Sequence, residues 1–455
     1  MSIRNLILCM CGAALLGADG GRAAAQVPGY RARLDSLFTI LETHDRMMGS
    51  VTVRRAGRVI YQRTVGFRDS TAAGRLRADS ATMYRIGSVT KPFTAALVYQ
   101  LVDERRVTLD TKLARFFPGL PAADSVTIRN LLGHTSGIPD YLTGMDPMVR
   151  LECDSLLRRI AAQPRQFAVG TRRRYSNSNY LLLGYIVEAL TGSSYGEQLQ
   201  RRIARRAGLR RTRFAGEAGA NEARSYFFSD GRWTPQPAHV LEHAGGAGGI
   251  VSTPSDVTRF LSALFERRLI SPASLREMKE GFVSGTTRSG KGLSPFSIPG
   301  TTKTGFSHDG SIGAFSALAG YVPEDSLALA LTINGNNYPQ NRIFFHVWDI
   351  LYGGGKPLPS FAPVALAEGA EAPLVGVYSA EAYGVTITIR RTAAGMEAQT
   401  TGQDPFPIKP IGQNRFVNTR DGILIEFAEP VGGASPRFTL YQQMVTLPLV
   451  RTTPK

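Results

Sequence analysis

Residues 353–363 read GGGKPLPSFAP, and the chain changes texture across them. Glycine and proline interrupt regular structure, so this stretch predicts a boundary between two folding units. Beyond it come GVTITIRR, GMEAQTT, RFVNT, GILIEFAEP, RFTLYQQ and VTLPLV, short β-type runs separated by turn residues. Such a series predicts a small all-β barrel or sandwich. Before it, helical and strand patterns mix. A chain of 455 residues is longer than one core usually organises, which also favours two domains. The predicted division is a leader over 1–25, a first domain over 26–355, a linker over 356–364 and a β domain over 365–455.

The leader is read from MSIRNLILCMCGAALLGADGGRAAAQ. An early arginine, a short apolar run and the alanines 23–25 predict a signal peptide cut near Ala25–Gln26, and hence export to the periplasm or medium. The apolar run is too short to remain as a membrane span. Cys9 and Cys11 would leave with it, so Cys153 alone would remain and no internal disulfide could form. The net charge of +17 raises nucleic acid or an anionic surface as partner. The arginines, however, are scattered in short clusters such as Arg172–Arg174, with no aromatic-interleaved basic motif, so no nucleic-acid partner is expected.

Patterns along the first domain predict a helix over Ala32–Met47 and a hairpin joining Ser50–Val53 to Val59–Gly66. Helices follow at IRNLLGH, Tyr180–Leu190, Tyr195–Arg206 and from Ser255 as N-cap. Strands return at Gly313–Tyr321 and Leu327–Asn334, and a helix over Asn341–Leu351 closes the domain.

Between these lies GSVTKPFTAALVYQLVDERR, Gly87–Arg106, which reads as an amphipathic helix with a serine and a lysine at its start. Only eight of the chain's 53 basic residues are lysine, and Lys91 is the only one with a serine three positions before it. Serine is a weak nucleophile and needs a base. Residues i and i+3 share a helix face, so Lys91 can reach Ser88. A buried lysine can lose its proton; an arginine cannot. In YSNSNYLLLGYIVEALTG, Tyr175 and Asn177 precede an apolar helix. A phenol near an ammonium can act as base and an amide can hold a carbonyl, although Ser178 and Asn179 also suit helix capping. In TTKTGFSHDGSIGAFSALAGYVP, glycines entering a strand would let a backbone approach a substrate closely. Two candidates stand there, Lys303-Thr304-Gly305 and His308-Asp309-Gly310.

Together these segments resemble the serine β-lactamase and penicillin-recognising DD-peptidase superfamily, in its class C-like branch, which also holds esterases and D-amino-acid peptidases. The resemblance covers roughly Arg31 to Leu351. It rests on SVTKPFTAALVYQLV, LLGHTSGIPDY, YSNSNYLLLGYIVEALTG, AGGAGGIVSTPSDVTRFL and HDGSIGAFSALAGYVP, in the family's order. It implies an α+β fold, an antiparallel sheet flanked by helices plus a helical subdomain, and a lipocalin-like C-terminal domain. It implies Ser88 as nucleophile, Lys91 and Tyr175 as the acid/base pair and Asn177 as a substrate contact. Lys303-Thr304-Gly305 matches the family's third motif in letters. His308-Asp309-Gly310 instead stands at the family's distance from Tyr321-Val322-Pro323. His308 is therefore expected as the third-motif residue, with Gly310 and Ser311 beside the substrate and Lys303 as a loop lysine. The same alignment implies an oxyanion hole of the Ser88 and Ser311 backbone N–H groups.

The remaining candidates carry plainer expectations. His134 would fix a loop and Cys153 would be a small apolar residue. His239 and His243 stand at i and i+4 but lack a third-ligand pattern, so neither metal nor other cofactor is expected. Gly245–Gly249 would border the site or let helix and sheet approach closely. The expected function is acyl transfer by a Ser88 acyl-enzyme, on a D-amino-acid peptide (DD-carboxypeptidase-like) or an ester. A class C-like β-lactamase and a non-catalytic binder of cell-wall fragments are the alternatives.

Overall fold

The computed structural model describes residues 27–452 apart from 72–73, 217–218, 220, 285–286 and 443–444; the expected leader lies outside the described residues. Six strands form the spine of the first domain: β1 (Met47–Arg55), β2 (Arg58–Val65), β3 (Ser294–Ser297), β4 (Thr304–Ile312), β5 (Phe315–Val322) and β6 (Leu327–Asn336). They run antiparallel in the order β3-β4-β5-β6-β1-β2. A short hairpin, Tyr226–Ser229 with Arg232–Pro235, joins this sheet through a single parallel pairing of Tyr226 with Gly335.

Every residue of β5 and β6 is buried, because both faces of the sheet are covered. Side chains alternate between those faces. Leu318, Leu329, Leu331 and Ile333 pack with the helices α1 (Tyr30–Thr43) and α5 (Gln340–Leu351) through Leu34, Leu37, Phe344 and Trp348. Ala317, Ala319, Ala328 and Ala330 face the other way, toward the helical part of the domain. Their small side chains let α4 (Pro254–Phe265) lie close on the sheet. Truncating a large residue of this core, as in Leu331→Ala, costs about 2–5 kcal/mol through the cavity it leaves.

The helix α2 (Thr90–Asp103) runs between sheet and helical subdomain, with α3 (Asn177–Thr191) packed on it. Its sequence reads as amphipathic, but every residue from Thr90 to Leu101 is buried. Polar side chains on it find internal partners: Thr94 bonds Tyr195 and the Gly246 carbonyl, and the Gln100 amide nitrogen donates to the Leu269 carbonyl.

Several boundaries differ from the sequence expectation for local reasons. Helix α1 stops at Thr43, because Asp45 turns the chain with φ 51° and Met47 already begins β1. Helix α4 is capped by Thr253, whose hydroxyl accepts from the Asp256 amide, with Pro254 in the first helical position. Gly313 is a turn with φ 56° between two strands, so Thr304–Ile312 is itself a strand rather than an entry to one. The helix expected over Tyr195–Arg206 contains a π-helical stretch at Leu199–Ala204.

Beyond α5 the described chain has no helix or strand until Ala372. Eight strands from Gly376 to Thr452 then close into an antiparallel barrel around Tyr378, Ile389, Phe416, Ile425 and Phe438. The barrel is not a free appendage. Ile411, Val417 and Leu424 from its outer surface join the core around α1 and α5. Arg342 of α5 pairs with Glu426 and donates to Tyr441 at 2.7 Å. Arg420 pairs with Asp230 at 2.5 Å.

Candidate active site

Ser88 lies in a single 3₁₀ turn, Gly87–Val89, that feeds directly into α2, and Lys91 stands in the first turn of that helix. Lys91 Nζ is 2.9 Å from Ser88 Oγ. It also lies 2.8 Å from Asn177 Oδ1 and 2.8 Å from the Ala247 carbonyl. Neither of those two oxygens can donate. A neutral Lys91 amine therefore gives its two hydrogens to them and turns its lone pair toward the Ser88 hydroxyl. Lys91 is completely buried and has no carboxylate in contact. Burial lowers its pKa to about 7, against the more distant attractions of Asp140 and Asp309.

Tyr175 Oη donates to Ser88 Oγ at 2.8 Å from the opposite side. Loss of water around the hydroxyl raises the phenol's pKa, with the Ser88 hydrogen bond working against it. The ring remains 38% open to the crevice, which moderates that push but not its direction. Of the pair expected to share the proton, Lys91 is thus the group whose amine is freed to accept one, and Tyr175 stays a neutral phenol.

Three further groups fix this geometry. Asp140 Oδ2 accepts from the Asn177 amide nitrogens, 3.1 Å from the backbone N and 2.8 Å from Nδ2. That contact fixes the flip of Asn177, so its oxygen faces Lys91. His134 is 4% exposed and stacks on the Tyr175 ring with centroids 4.5 Å apart. Its Nδ1 accepts from the Ser176 amide, and burial holds the imidazole neutral. Gly246 allows the third contact: a Cβ there would sit 2.7 Å from the Tyr180 carbonyl, so only glycine lets the 245–249 turn approach α3 and present Ala247. In the sequence GIPDY offers Asp140 only as a loop acid, and the run AGGAGG signals a close approach of the 245–249 turn but not the Ala247 carbonyl.

Two other glycines bring the Ser88 turn against β4. A Cβ on Gly310 would lie 2.3 Å from the Ile86 carbonyl and 2.6 Å from the Ser88 amide. Gly87 has φ 50°, and a Cβ on it would lie 2.7 Å from the Ser311 amide. The backbones carrying the Ser88 and Ser311 N–H groups thus interlock. Gly310 serves close approach.

His308 is half-buried on β4, and its Nδ1 is 2.5 Å from the Asp309 carbonyl. Burial and the nearby Lys91 lower its pKa to about 4, so it is neutral at pH 7. Because a carbonyl can only accept, Nδ1 carries the hydrogen and Nε2 presents a lone pair. Lys303 stands at the far end of the strand, bound to Asp325 at 2.6 Å.

A cavity of about 380 Å³ opens at Ser88, Asn177 and Ser311. Its walls are chiefly apolar, from Tyr141, Leu142, Met145, Pro147, Val240 and Ile312. His239 and His243 also line it; burial lowers both imidazole pKa values, and His243 Nε2 accepts from the Leu151 amide. Cys153 departs from expectation. It is exposed at the first position of the helix Cys153–Ala161, whose buried face is Leu156 and Ile160.

The Beta-lactamase family model matches residues 34–344. The chain is 31% identical over 335 residues to penicillin-binding protein 4 of Amycolatopsis lactamdurans, covering 66% of this chain and 85% of that one. It is 28% identical over 265 residues to penicillin-binding protein 4* of Bacillus subtilis (strain 168), where the match spans 54% of this chain and only 58% of the relative. Among solved structures, D-amino acid amidase from Ochrobactrum anthropi SV3 complexed with D-phenylalanine is similar. Its TM-score is 0.62 and its identity 26%, over 70% of this chain and 99% of that one. The octameric penicillin-binding protein homologue from Pyrococcus abyssi shares the fold over 92% of this chain and 99% of its own, with a TM-score of 0.63 and 23% identity. A family match over most of the first domain and a serine poised between a lysine and a tyrosine lead to one conclusion: this chain is a serine hydrolase belonging to the Beta-lactamase family.

Proposed function

We propose that the protein is an exported hydrolase that cleaves ester or amide bonds next to an apolar acyl group, through an acyl-enzyme on Ser88. The observation that carries this reading is the placement of Ser88 Oγ, 2.9 Å from Lys91 Nζ and 2.8 Å from Tyr175 Oη. As the Ser88 oxygen bonds to the substrate carbonyl carbon, its proton passes to Lys91. The carbonyl oxygen takes the charge, facing the Ser88 and Ser311 amides. When the bond to the leaving group breaks, that group takes a proton by way of Tyr175. Water then attacks the acyl-enzyme and returns a proton to Ser88. The apolar cavity beside Ser88 suits the acyl part, as a D-amino acid side chain or the chain of a simple acid would require. Similarity to a D-amino acid amidase supports the same class.

In this reading residues 1–25 are a leader that exports the chain, 26–355 carry the catalysis, 356–364 link and 365–455 form the accompanying barrel domain. A class C-like β-lactamase is the weaker reading, since a neutral His308 offers no fixed cation for a carboxylate.

The test is intact mass over time, for the protein and Ser88→Ala, with a penicillin and separately with a small activated ester. A Ser88-dependent adduct that turns over quickly with the ester and slowly with the penicillin is expected. Rapid penicillin turnover would favour the lactamase. Binding without any adduct or product would favour a non-catalytic binder of cell-wall fragments.

A further inference from the structure

A second cavity, also of about 380 Å³, lies where three parts of the molecule meet. His308, Asp309 and Ser311 come from β4, Asn341 and Phe344 from the start of α5, and Val445 and Thr446 from the barrel. Ser311 lines both this cavity and the apolar one beside Ser88, so the two adjoin at the residue whose amide faces the reacting carbonyl oxygen. A substrate whose acyl part fills the first cavity sends its other half toward the second. From this cavity the Asp309 carboxylate bears electrostatically on both Tyr175 and Lys91.

The lining has a definite chemistry. The floor is apolar at Leu318 and Phe344, and Val445 adds an apolar side chain on the barrel wall. The Asp309 carboxylate has no hydrogen-bond or ion-pair partner among the described residues, although the chain carries a net charge of +17. His308 presents a lone pair, and among the described residues no lysine or arginine lines the cavity. Besides Lys91, the cation that acts on His308 is Arg173, on the loop before Tyr175. The barrel wall is held in place by Arg342 of α5, whose side chain reaches Glu426 and Tyr441.

We propose that this cavity is the leaving-group subsite of the hydrolase, that the barrel supplies its outer wall, and that it takes an uncharged or cationic alcohol or amine in preference to one bearing a carboxylate. The proposal rests on the Ser88 acyl-transfer reading above and narrows it: a substrate that releases a free terminal amino acid is disfavoured.

Four butyrate esters test it on the full chain, sharing the acyl group and differing in the alcohol: methyl, benzyl, choline and glycolate. Ratios of kcat/KM are read, so effects common to all four cancel. In the unaltered protein the choline ester should exceed the glycolate ester by about tenfold or more. Asp309→Asn should shrink that ratio about fivefold. Val445→Trp, at a position 55% exposed and so tolerant of the change, should lower the benzyl-to-methyl ratio about fivefold by filling the wall. Thr446→Lys should shift preference toward the glycolate ester. A glycolate ester preferred by the unaltered protein, with the preference removed by Arg173→Ala, overturns the assignment. So does an unchanged ratio in both Asp309→Asn and the two barrel variants. Absence of Ser88-dependent turnover with all four esters is a different outcome: it defeats the acyl-transfer reading itself, and the subsite with it.

Discussion

Lys91 and Lys303 invite comparison. Each stands close in sequence to a hydroxyl residue, each matches a catalytic motif in letters, and only one is placed to do chemistry. Lys303 is 28% exposed and clamped by the Asp325 carboxylate, itself 5% exposed, with Tyr352 donating to the same acid at 2.5 Å. Lys91 is wholly buried; its hydrogen-bond partners are a hydroxyl, an amide oxygen and a backbone carbonyl, and the Tyr175 and Tyr180 rings lie 4.8 and 5.7 Å from its nitrogen. Those partners accept hydrogens without demanding a charge. What separates a base from a strut is therefore the kind of oxygen around the amine: a contacting carboxylate locks the ammonium in, while neutral acceptors and burial release it.

Breaking the first half of that comparison should have the largest effect. Ser88→Ala and Lys91→Met should each lower kcat/KM by about 10³-fold or more, with the thermal midpoint of Ser88→Ala nearly unchanged. Lys91→Arg should restore none of the loss, because a guanidinium keeps its proton. Steady-state kinetics with an activated ester checks all three.

Asp140→Asn sharpens it. Orientation of Asn177 is lost, and kcat should fall about tenfold or more. The pH profile separates this from mere loosening. The proposed mechanism needs Lys91 unprotonated, so kcat/KM in the unaltered protein should rise through pH 7, falling about tenfold per unit below it. Asp140 stabilises the ammonium; with it gone the Lys91 pKa drops, and the acid limb should move to lower pH. A loss of rate with the limb unmoved would assign Asp140 a packing role only.

The smallest effect on activity belongs to the other lysine. Lys303→Ala should cost less activity than His308→Ala, while lowering stability by about 1–2 kcal/mol because Asp325 loses its partner. Thermal melts beside kinetics check the pair, and the reverse order would return the third motif to Lys303.

Much of the site could be read from the sequence because its chemistry is local. A serine and a lysine must be three apart to meet on one turn, and Tyr175 and Asn177 stand two apart before an apolar helix. What could not be read is long-range. The Ala247 carbonyl that shares Lys91 lies 156 residues away, and nothing in a backbone carbonyl marks it in advance. Asp140 is an ordinary loop acid until α3 places Asn177 over it. The barrel was legible as strands separated by turns, but not its docking on α5, because Arg342 and Glu426 become partners only once both units are folded. Cys153, expected as a small apolar residue, is exposed for a related reason: the helix Cys153–Ala161 buries Leu156 and Ile160 and leaves its first position outside.

The interlocked glycines have a consequence for how this enzyme can change. Gly87 and Gly310 each tolerate a single hydrogen where any other residue would drive a carbon into a neighbouring strand or turn. The cavity walls at Leu142, Met145, Val240 and Ile312 face open space and carry no such restriction. Selection for new substrates therefore has many positions to vary around a centre that admits almost no variation. In a library of single substitutions scored for activity, survivors should concentrate at the walls, and the two glycine positions should return only glycine.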